Sequence, residues 1–384
     1  MRLAHLHIPH RIPYSHSLKL QTALLERHFS YKDQLHSGEQ ARRKRGNENA
    51  NSYLENTSSQ RRIDKHGYKD DAAGLTLSTP SRVTESSDAQ IKTLTTSTFS
   101  SLSLSPPDPV VLTFATHPTY TVGRRHLLSN PISESQQNFL TASGRATFHA
   151  SPRGGLLTYH GPGQVTGYVI ADLRRHGITA RCWVKMLEKS VMRTCAHWGV
   201  GTMRTRDPGV WVKNNDAPTE QREVDDSDET SSTDRKICAI GVQVSRGITS
   251  HGIGLNVYDA PLPSSAAGPV YEFTAAQTRS PSYDPLTRGY LSWGFSRVVA
   301  CGLEGKSVTW LMRERRQGPE PGAEDHSVIC LESVADVFAQ QVMHGLNAMK
   351  ASGKESVHEV YRIHESQCTG PGGDEGNLSE AEIG

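Results

Sequence analysis

Long polar segments interrupt this chain, and they limit what it can fold into more than any other feature. From about 31 to 107 the sequence is rich in Ser, Thr, Arg, Asn and Asp, without sustained hydrophobic periodicity. Further polar segments occupy about 214–235, 259–293 and 314–326. Such segments bury too little apolar surface to offset the entropy lost on ordering. We therefore predict one α/β domain over 1–350 with long disordered insertions, followed by a disordered tail over 351–384.

The overall composition excludes several classes of function. A formal net charge of +2 gives no reason to expect a nucleic acid or an anionic membrane as partner. No run approaches the roughly 20 apolar residues that a membrane span requires. The six cysteines are scattered without a CxxC pair, so we predict neither a disulfide framework nor a metal site. Two histidines, His5 and His7, share one face of a predicted strand, but two such residues without a third ligand are more often surface residues.

The remaining segments carry the periodicities of helices and strands. A strand over Leu3–Ile8 precedes a helix that Ser17 can cap. Two β-prone runs joined by Arg246-Gly247 are typical of a hairpin. The other predicted elements are strands Val110–Ala115, Gly209–Lys213, Lys236–Ser245 and Ile248–Val257, and helices Ala180–Trp198 and Val328–Met349.

The segment RGGLLTYHGPGQ, from Arg153 to Gln164, is the first candidate site. Glycines among polar residues let the backbone approach a ligand closely, because no Cβ intervenes. A glycine-rich turn between strands is the alternative interpretation. Neither a GxxxxGK[ST] nor a GxGxxG pattern is present, so the sequence does not support a phosphate loop or a dinucleotide site.

Two further segments carry reactive side chains. Lys236 opens the apolar run KICAIG, where a buried ammonium would be costly without a partner, although a solvated strand end would also explain it. The segment TSHGIGLN follows, from Thr249 to Asn256. Cys301, beside a glycine after the apolar Val298-Val-Ala, is placed as an accessible nucleophile would be.

The segments RGGLLTYHGPGQ, GVWV, KICAIG, TSHGIGLNV and CGL occur in an order that resembles the lipoyl(octanoyl) transferases, as does the earlier THPTYTVGRR. The resemblance implies a fold like that of biotin and lipoate ligases, with a mixed, largely antiparallel sheet flanked by helices. It also implies a catalytic dyad of Cys301 and Lys236. The acyl-binding residues that it implies are Arg153, Gly154, Gly155, Leu156, Leu157, Thr158, Tyr159, His160, Ala239, Ile240, Gly241, Gly252, Ile253 and Gly254.

The resemblance further implies the reaction and its partners. An octanoyl group would pass from octanoyl-acyl carrier protein to Cys301, and from there to a lysine of an apo lipoyl domain, such as glycine cleavage H protein or a 2-oxoacid dehydrogenase E2 subunit. No cofactor is expected and no ATP is needed. The location expected is mitochondrial. The family usually has proline where this chain has Ala300, and the insertions before Lys236 and Cys301 are longer than usual.

Two alternatives remain open at this point. An ATP-dependent lipoate ligase would also have a glycine block and a lysine, but would need no nucleophilic cysteine. A catalytically silent protein that binds lipoyl domains or acyl carriers would use the insertions as interaction segments. Within the transferase interpretation, His160 orients a substrate carbonyl or is structural, Arg153 meets carrier phosphate or an acidic protein surface, and backbone amides near Gly241 or His251 stabilise an oxyanion.

Overall fold

The computed structural model describes residues 1–63, 105–213, 234–263, 270–298, 307–315 and 329–368. Residues Met1–His28 and Pro107–Gly384 form one compact unit, and Phe29–Pro106 form a second. In the second unit the structure describes residues 29–63, which continue the first helix, and residues 105–106. Both sheets and the cavity discussed below belong to the first unit.

The described residues contain eleven strands, nine α-helices and a short 3-10 helix at Glu365–Gln367. The strands are β1 (Leu3–Ile12), β2 (Val110–Thr116), β3 (Thr119–Gly123), β4 (Thr147–Ser151), β5 (Thr158–His160), β6 (Gln164–Ile170), β7 (Val210–Val212), β8 (Arg235–Ser245), β9 (Ile248–Asn256), β10 (Ser307–Val308) and β11 (Val360–Ile363). The helices are α1 (Tyr14–Ile63), α2 (Arg124–Ser129), α3 (Glu134–Thr141), α4 (Leu173–His176), α5 (Ala180–Ala196), α6 (Ala275–Thr278), α7 (Tyr290–Arg297), α8 (Leu311–Glu314) and α9 (Leu331–Met349).

The main sheet has the strand order β10-β8-β9-β6-β2-β1-β11, and β7 pairs with β8 beside this path. The central pairings β2–β6, β6–β9 and β8–β9 are antiparallel, whereas β1 pairs in parallel with both β2 and β11. A smaller sheet has the order β4-β3-β5. The predicted mixed, largely antiparallel sheet flanked by helices is confirmed.

The core explains why β2, β6 and β9 form the centre of the main sheet, since every residue of these strands is buried. Helices α5 and α9 contribute apolar stripes to one cluster that includes Leu187, Val191, Phe338 and Val342. The helix predicted over Ala180–Trp198 is confirmed as α5, with Thr179 accepting a hydrogen bond from the backbone N–H of Cys182 as its N-cap.

The hairpin between β8 and β9 turns where the sequence predicted it. Arg246 and Gly247 have φ values of 54° and 86°. Two consecutive positive φ angles are typical of a type I′ turn, whose twist matches that of the flanking strands. This turn fixes the register in which Gly241 lies opposite Gly252, so the KICAIG and TSHGIG segments are neighbours.

Four sequence predictions are corrected by the structure. Helix α1 begins at Tyr14 and continues to Ile63, so Ser17 lies inside it, and 31–63 is helical rather than irregular. The described part of 259–293 contains α6 and the start of α7. The tail includes β11, which pairs with β1. Val357, just before this strand, is buried with 2% of its surface exposed. The predicted insertions 214–235 and 314–326 fall largely outside the described residues.

His5 is buried, contrary to the surface position that we expected. Its Nε2 atom lies 2.8 Å from Thr113 Oγ1 and its Nδ1 atom 3.2 Å from a carboxylate oxygen of Asp336. Within the described residues there is no group of three or more His, Cys, Asp or Glu that can hold a metal ion. Nor does any described helix combine the length and the apolar character needed to cross a bilayer.

Candidate functional site

One cavity of about 340 Å³ gathers the predicted motifs from distant parts of the chain. The predicted site residues that line it are Arg153, Gly154, Gly155, Leu156, Leu157, Thr158, His160, Lys236, Ala239, Ile240, Gly241, Gly252, Ile253 and Gly254. Tyr159 is not among them, because its side chain is fully buried between Tyr120, Trp293 and Phe295. Cys301 lies outside the described residues.

Arg153 organises the glycine-rich loop from within. Its guanidinium donates hydrogen bonds to the carbonyl oxygens of Gly154 at 2.9 Å, Thr121 at 2.9 Å and Leu156 at 3.3 Å. A further bond reaches Thr121 Oγ1 at 2.6 Å. The residue is only 8% exposed, so this arginine stabilises the cavity wall rather than an outer surface. A contact of Arg153 with carrier phosphate or with an acidic protein surface stays a prediction.

The glycine-rich loop packs against β8 at a distance that leaves no room for side chains. Gly155 has a φ of 98°, in the region that favours glycine. The backbone N–H of Gly154 donates to the carbonyl oxygen of Val242 at 3.0 Å. A Cβ added at Gly241 would lie 2.8 Å from the carbonyl oxygen of Gly154. Glycine at these positions thus sets the spacing of one cavity wall.

Lys236 enters the cavity from the start of β8. Its ammonium Nζ donates a hydrogen bond to the carbonyl oxygen of Pro208 at 3.3 Å. The same atom lies 4.5 Å from the centroid of the Trp211 ring, within the range of a cation–π interaction. The ammonium therefore has both a hydrogen-bond acceptor and an aromatic face as partners. These contacts offset the cost of placing a charged lysine at the start of an apolar strand.

His160, another cavity residue, belongs to a buried chain of polar side chains. Its Nδ1 lies 2.7 Å from Gln164 Oε1, while Gln164 Nε2 donates to Asn256 Oδ1 at 2.9 Å. Asn256 in turn donates to the carbonyl oxygen of Thr309 at 2.9 Å. Since Gln164 Oε1 only accepts, the neutral imidazole carries its proton on Nδ1 and leaves Nε2 as an acceptor. Burial, with a smaller effect of the Arg153 charge, lowers the pKa of His160 to about 4.

His251 is a cavity residue in an unusual backbone conformation. It has a φ of 59° within β9 and is 2% exposed. Its backbone N–H donates to Gln21 Oε1 at 2.7 Å, and its ring contacts Tyr168 edge to face. Burial is the main reason that the pKa of His251 is lowered to about 3, with Arg153 and His160 adding to the effect. Both cavity histidines are thus neutral near pH 7.

Wall residues of the cavity stand on both sides of residues 299–306, which lie outside the described part of the chain. Val298, three residues before Cys301, is one of its wall residues, and Ser307 and Val308 are others. Strand β10 pairs in parallel with the start of β8, with Val308 opposite Lys236. The motif CGL is therefore bracketed in sequence by residues of the same cavity as Lys236.

Sequence reasoning missed several wall residues. They are Tyr14, Tyr168, Val184, Asp207, Pro208, Trp211, Val242, Asn256, Ser282, Phe295, Val298, Ser307 and Val308. Trp211 lies within the GVWV segment, Pro208 directly precedes it, and Asn256 ends TSHGIGLN. Their place in or beside these motifs was the available signal. Tyr14 and Ser282 come from distant segments and carried no such signal.

Comparison with known proteins identifies relatives of this chain. Residues 92–261 match the family described as the lipoyl protein ligase A/B catalytic domain. A probable octanoyltransferase of Schizosaccharomyces pombe is 37% identical over 40% of this chain, which spans 58% of that relative. A putative mitochondrial lipoyltransferase 2 of Drosophila melanogaster is 33% identical over 58% of this chain and 70% of the relative.

A human protein and a solved structure are also similar to this chain. The human mitochondrial octanoyl-acyl-carrier-protein:protein N-octanoyltransferase is 35% identical over 51% of this chain and 62% of the relative. The structure of a bi-partite lipoate protein ligase from Thermoplasma acidophilum aligns with a TM-score of 0.37 at 9% identity, covering 68% of this chain and 78% of that one.

Proposed function

The chain belongs to the octanoyltransferase family of acyltransferases, and from this membership we propose that it transfers an octanoyl group from octanoyl-acyl carrier protein to a lysine of an apo lipoyl domain. The observation that carries the proposal is the single cavity in which Lys236, the glycine-rich loop and the Gly252–Gly254 segment meet. Residues more than 80 positions apart in the sequence form one wall there, as a shared substrate would require.

The cavity suits an aliphatic chain that ends in a reactive carbonyl. Its apolar walls include Leu157, Ile240, Ile253 and Phe295. A volume of about 340 Å³ lies near the lower end of the range of about 300–1,000 Å³ for small-molecule pockets. Burial of the octanoyl methylenes would supply binding energy at about 0.8 kcal/mol each. Lys236 and His160 are among the polar residues of the lining, and we place the reacting carbonyl and the incoming amine near them.

The reaction that we propose has two halves. In the first, the Cys301 thiolate attacks the thioester carbonyl of octanoyl-acyl carrier protein and the carrier's phosphopantetheine sulfur leaves as a thiolate, which takes up a proton equivalent to the one that Cys301 released on ionising. In the second, the ε-amine of the acceptor lysine attacks the new thioester, forming an amide and returning the Cys301 thiol. Amide formation from a thioester is downhill, so the two halves need no ATP.

Lys236 is proposed to stabilise the thiolate. Near pH 7 an ordinary cysteine is only a few per cent ionised. An ammonium at about 4 Å can favour the thiolate by up to roughly 4 kcal/mol at an effective dielectric of about 20, before desolvation opposes it. Three residues of extended chain span about 11 Å at most. This short connection from Val298, a wall residue, supports a place for Cys301 at the same cavity.

The neutral state of His160 narrows its proposed role. With its proton on Nδ1 held by Gln164, the free Nε2 accepts hydrogen bonds and cannot donate one to a carbonyl. We therefore assign His160 to orienting the acceptor amine, whose N–H groups are donors. The oxyanion would instead be stabilised by backbone amides of the β8 and β9 segments that line the cavity.

The partners and the location that we propose are those that the resemblance to the family implies. The acceptors proposed are apo lipoyl domains, such as glycine cleavage H protein and 2-oxoacid dehydrogenase E2 subunits. No cofactor is proposed, since the acyl group arrives on the carrier. Because the insect and human relatives are named mitochondrial, we propose a mitochondrial location.

Intact-mass measurement after mixing with octanoyl-acyl carrier protein, without ATP, tests the proposal. The expected result is a gain of one octanoyl group, discharged onto an apo lipoyl domain and absent from Cys301→Ser. Cys330→Ser is the matched control, because Cys330 is exposed and its Ser333 contacts lower its pKa, which makes it the described thiol most open to nonspecific exchange. An adduct that survives Cys301→Ser but not Cys330→Ser contradicts the proposal. Transfer that requires ATP would indicate a ligase.

A further inference from the structure

A loop beside the cavity accepts a hydrogen bond from Lys236, and the buried carboxylate of Glu188 holds this loop in place. This loop comprises residues 204–209. Met203 before it and Trp211 after it form an antiparallel bridge, with N–O distances of 2.8 and 3.0 Å. The indole Nε1 of Trp211, which follows the loop, donates to the carbonyl oxygen of Asp207 within it at 3.2 Å. The bridge and this bond place the carbonyl of Pro208 where Lys236 donates to it.

Glu188 is the residue that ties the loop to the core. It lies on the buried face of α5 and is 3% exposed. Its Oε2 accepts from Arg204 Nε at 2.5 Å, at the start of the loop, and its Oε1 accepts from the backbone N–H of Gly209 at 3.3 Å, at the end. One carboxylate thus holds both ends of a six-residue loop, and burial of its charge is compensated by Arg204.

The loop and Lys236 are in close contact. A Cβ added at Gly209, which has a φ of 133°, would lie 3.2 Å from Lys236 Cε and 2.7 Å from the carbonyl oxygen of Cys238. The lysine stem therefore passes directly over Gly209, while the Trp211 ring lies 4.5 Å from Nζ. Small movements of this loop must be transmitted to the ammonium.

Two other charged residues near Lys236 in the described part of the chain, Arg235 and Asp207, do not duplicate this arrangement. Arg235 is paired with Glu314 at 2.9 Å, with side chains 21% and 12% exposed. Asp207 lines the cavity as part of the same loop, so its position also depends on Glu188. Glu188 does not line the cavity and is therefore outside the reach of a substrate.

We infer that Glu188 is a positioning residue for Lys236, acting through Arg204, Gly209 and the Pro208 carbonyl. This inference rests on the proposed function of Lys236 in stabilising a thiolate. Without the carboxylate, the loop loses the tie at both ends, and the ammonium is no longer held at a fixed place in the cavity. Displacement of a group by about 1 Å can cost up to about a hundredfold in rate.

The test compares the pH dependence of Cys301 alkylation by iodoacetamide, followed on the Cys301 peptide by mass spectrometry, in wild type and Glu188→Gln. The side-chain amide cannot accept from Arg204 through its NH₂ group while its oxygen serves Gly209. We expect the alkylation midpoint to rise by about one pH unit and acyl-enzyme formation to slow at least about tenfold at pH 7. The KM for octanoyl-acyl carrier protein should not change.

Two further variants make the result decisive. Glu355→Gln breaks an arginine–carboxylate pair of the same kind, Arg175–Glu355 at 2.8 Å, away from the cavity, and should keep the wild-type profile. Gly209→Ala perturbs the loop from the side of Lys236 and should reproduce the rise in midpoint, which decides the matter if Glu188→Gln does not fold.

The outcomes separate the inference from the proposed function. If Lys236→Met raises the midpoint but folded Glu188→Gln and Gly209→Ala keep the wild-type profile, the positioning role of Glu188 is wrong and the dyad stands. If Lys236→Met also leaves the midpoint unchanged, the proposed function of Lys236 is itself overturned. A rise in all three variants supports both.

Discussion

The backbone N–H of Gly154 donates a hydrogen bond to the carbonyl oxygen of Val242 at 3.0 Å, and this bond joins the glycine-rich loop to strand β8. Between them lies Gly241, where a Cβ would meet the Gly154 carbonyl oxygen at 2.8 Å and Arg153 Cδ at 2.9 Å. Both contacts are shorter than a side-chain carbon tolerates. The loop can therefore keep its position only while residue 241 is glycine.

Gly241→Ala should for this reason impair octanoyl transfer. We expect kcat/KM for octanoyl-acyl carrier protein to fall about ten- to a hundredfold, because the displaced loop narrows the acyl site. Steady-state transfer to an apo lipoyl domain measures the effect. Gly201→Ala is the matched control, since nothing lies within 4 Å of a Cβ there. Equal kinetics for the two variants would contradict the assigned wall.

Lys236→Met should suppress thiolate formation while leaving the apolar stem in contact with Trp211. Loss of the ammonium removes the charge that favours the thiolate and so raises the pKa of the Cys301 thiol. Each unit of that rise reduces the ionised fraction about tenfold at pH values below the pKa. We expect slower acyl-enzyme formation at pH 7 and partial recovery at pH 9. Stopped-time mass measurements across this range check it.

Lys189→Met provides the matched control for that experiment, because Lys189 is an exposed lysine of α5. It should acylate at the wild-type rate at every pH. Acylation of Lys236→Met at the wild-type rate would instead show that the ammonium has no part in activating the thiol.

The sequence predicted the parts of this molecule that local patterns determine. The β8–β9 hairpin follows from Arg246-Gly247, and α5 from an apolar stripe at helical spacing. The assembly of RGGLLTYHGPGQ, KICAIG and TSHGIG around one cavity followed from the resemblance and its motif order. All but Tyr159 and Cys301 among the predicted site residues line that cavity, and Cys301 lies outside the described residues.

Non-local contacts account for most of what the sequence did not predict. The continuation of α1 to Ile63 lacks an apolar stripe, so the periodicity used to find helices could not reveal it. Strand β11 is short, and its pairing partner β1 lies more than 350 residues away. Glu188 did leave a signal: it is a carboxylate on the buried face of an amphipathic helix, which requires a partner.

Acid should destabilise the fold between about pH 6.5 and 4, through His160 and His251. Their pKa values are lowered to about 4 and about 3, mainly by burial, from an unfolded value of about 6.5. In this range the unfolded chain binds more protons than the folded one, so the free energy of unfolding falls as the pH falls. Each histidine contributes a slope of about 1.4 kcal/mol per pH unit.

Denaturant unfolding of His251→Asn at pH 7.5, 6 and 5 checks this slope. Asparagine tolerates the positive φ of position 251 but does not titrate. In this variant the free energy of unfolding should change less steeply with pH, by about 1.4 kcal/mol per pH unit. His358→Asn, at an exposed position, should retain the full dependence. If both variants match wild type, burial of His251 does not govern its protonation.

Truncation after Lys350 should destabilise the domain, although the sequence predicted that this tail contributes no structure. The described tail pairs β11 with β1 and buries Val357, whose backbone exchanges two hydrogen bonds with the Asn347 side chain at 2.7 and 2.8 Å. Arg362 also pairs with Asp336, the carboxylate that holds His5. Loss of these contacts removes at least about 3 kcal/mol.

Differential scanning calorimetry of two truncations tests this role. Removal of 351–384 should lower Tm by about 6–12 °C, at about 2–4 °C per kcal/mol for a domain of this size. Removal of 369–384 alone keeps every tail contact described above and should leave Tm unchanged. Because β11 covers the edge of β1, the longer truncation should also expose that strand and promote self-association, measurable by light scattering. An unchanged Tm and a monomeric scattering mass would mean that β1 needs no partner on this edge.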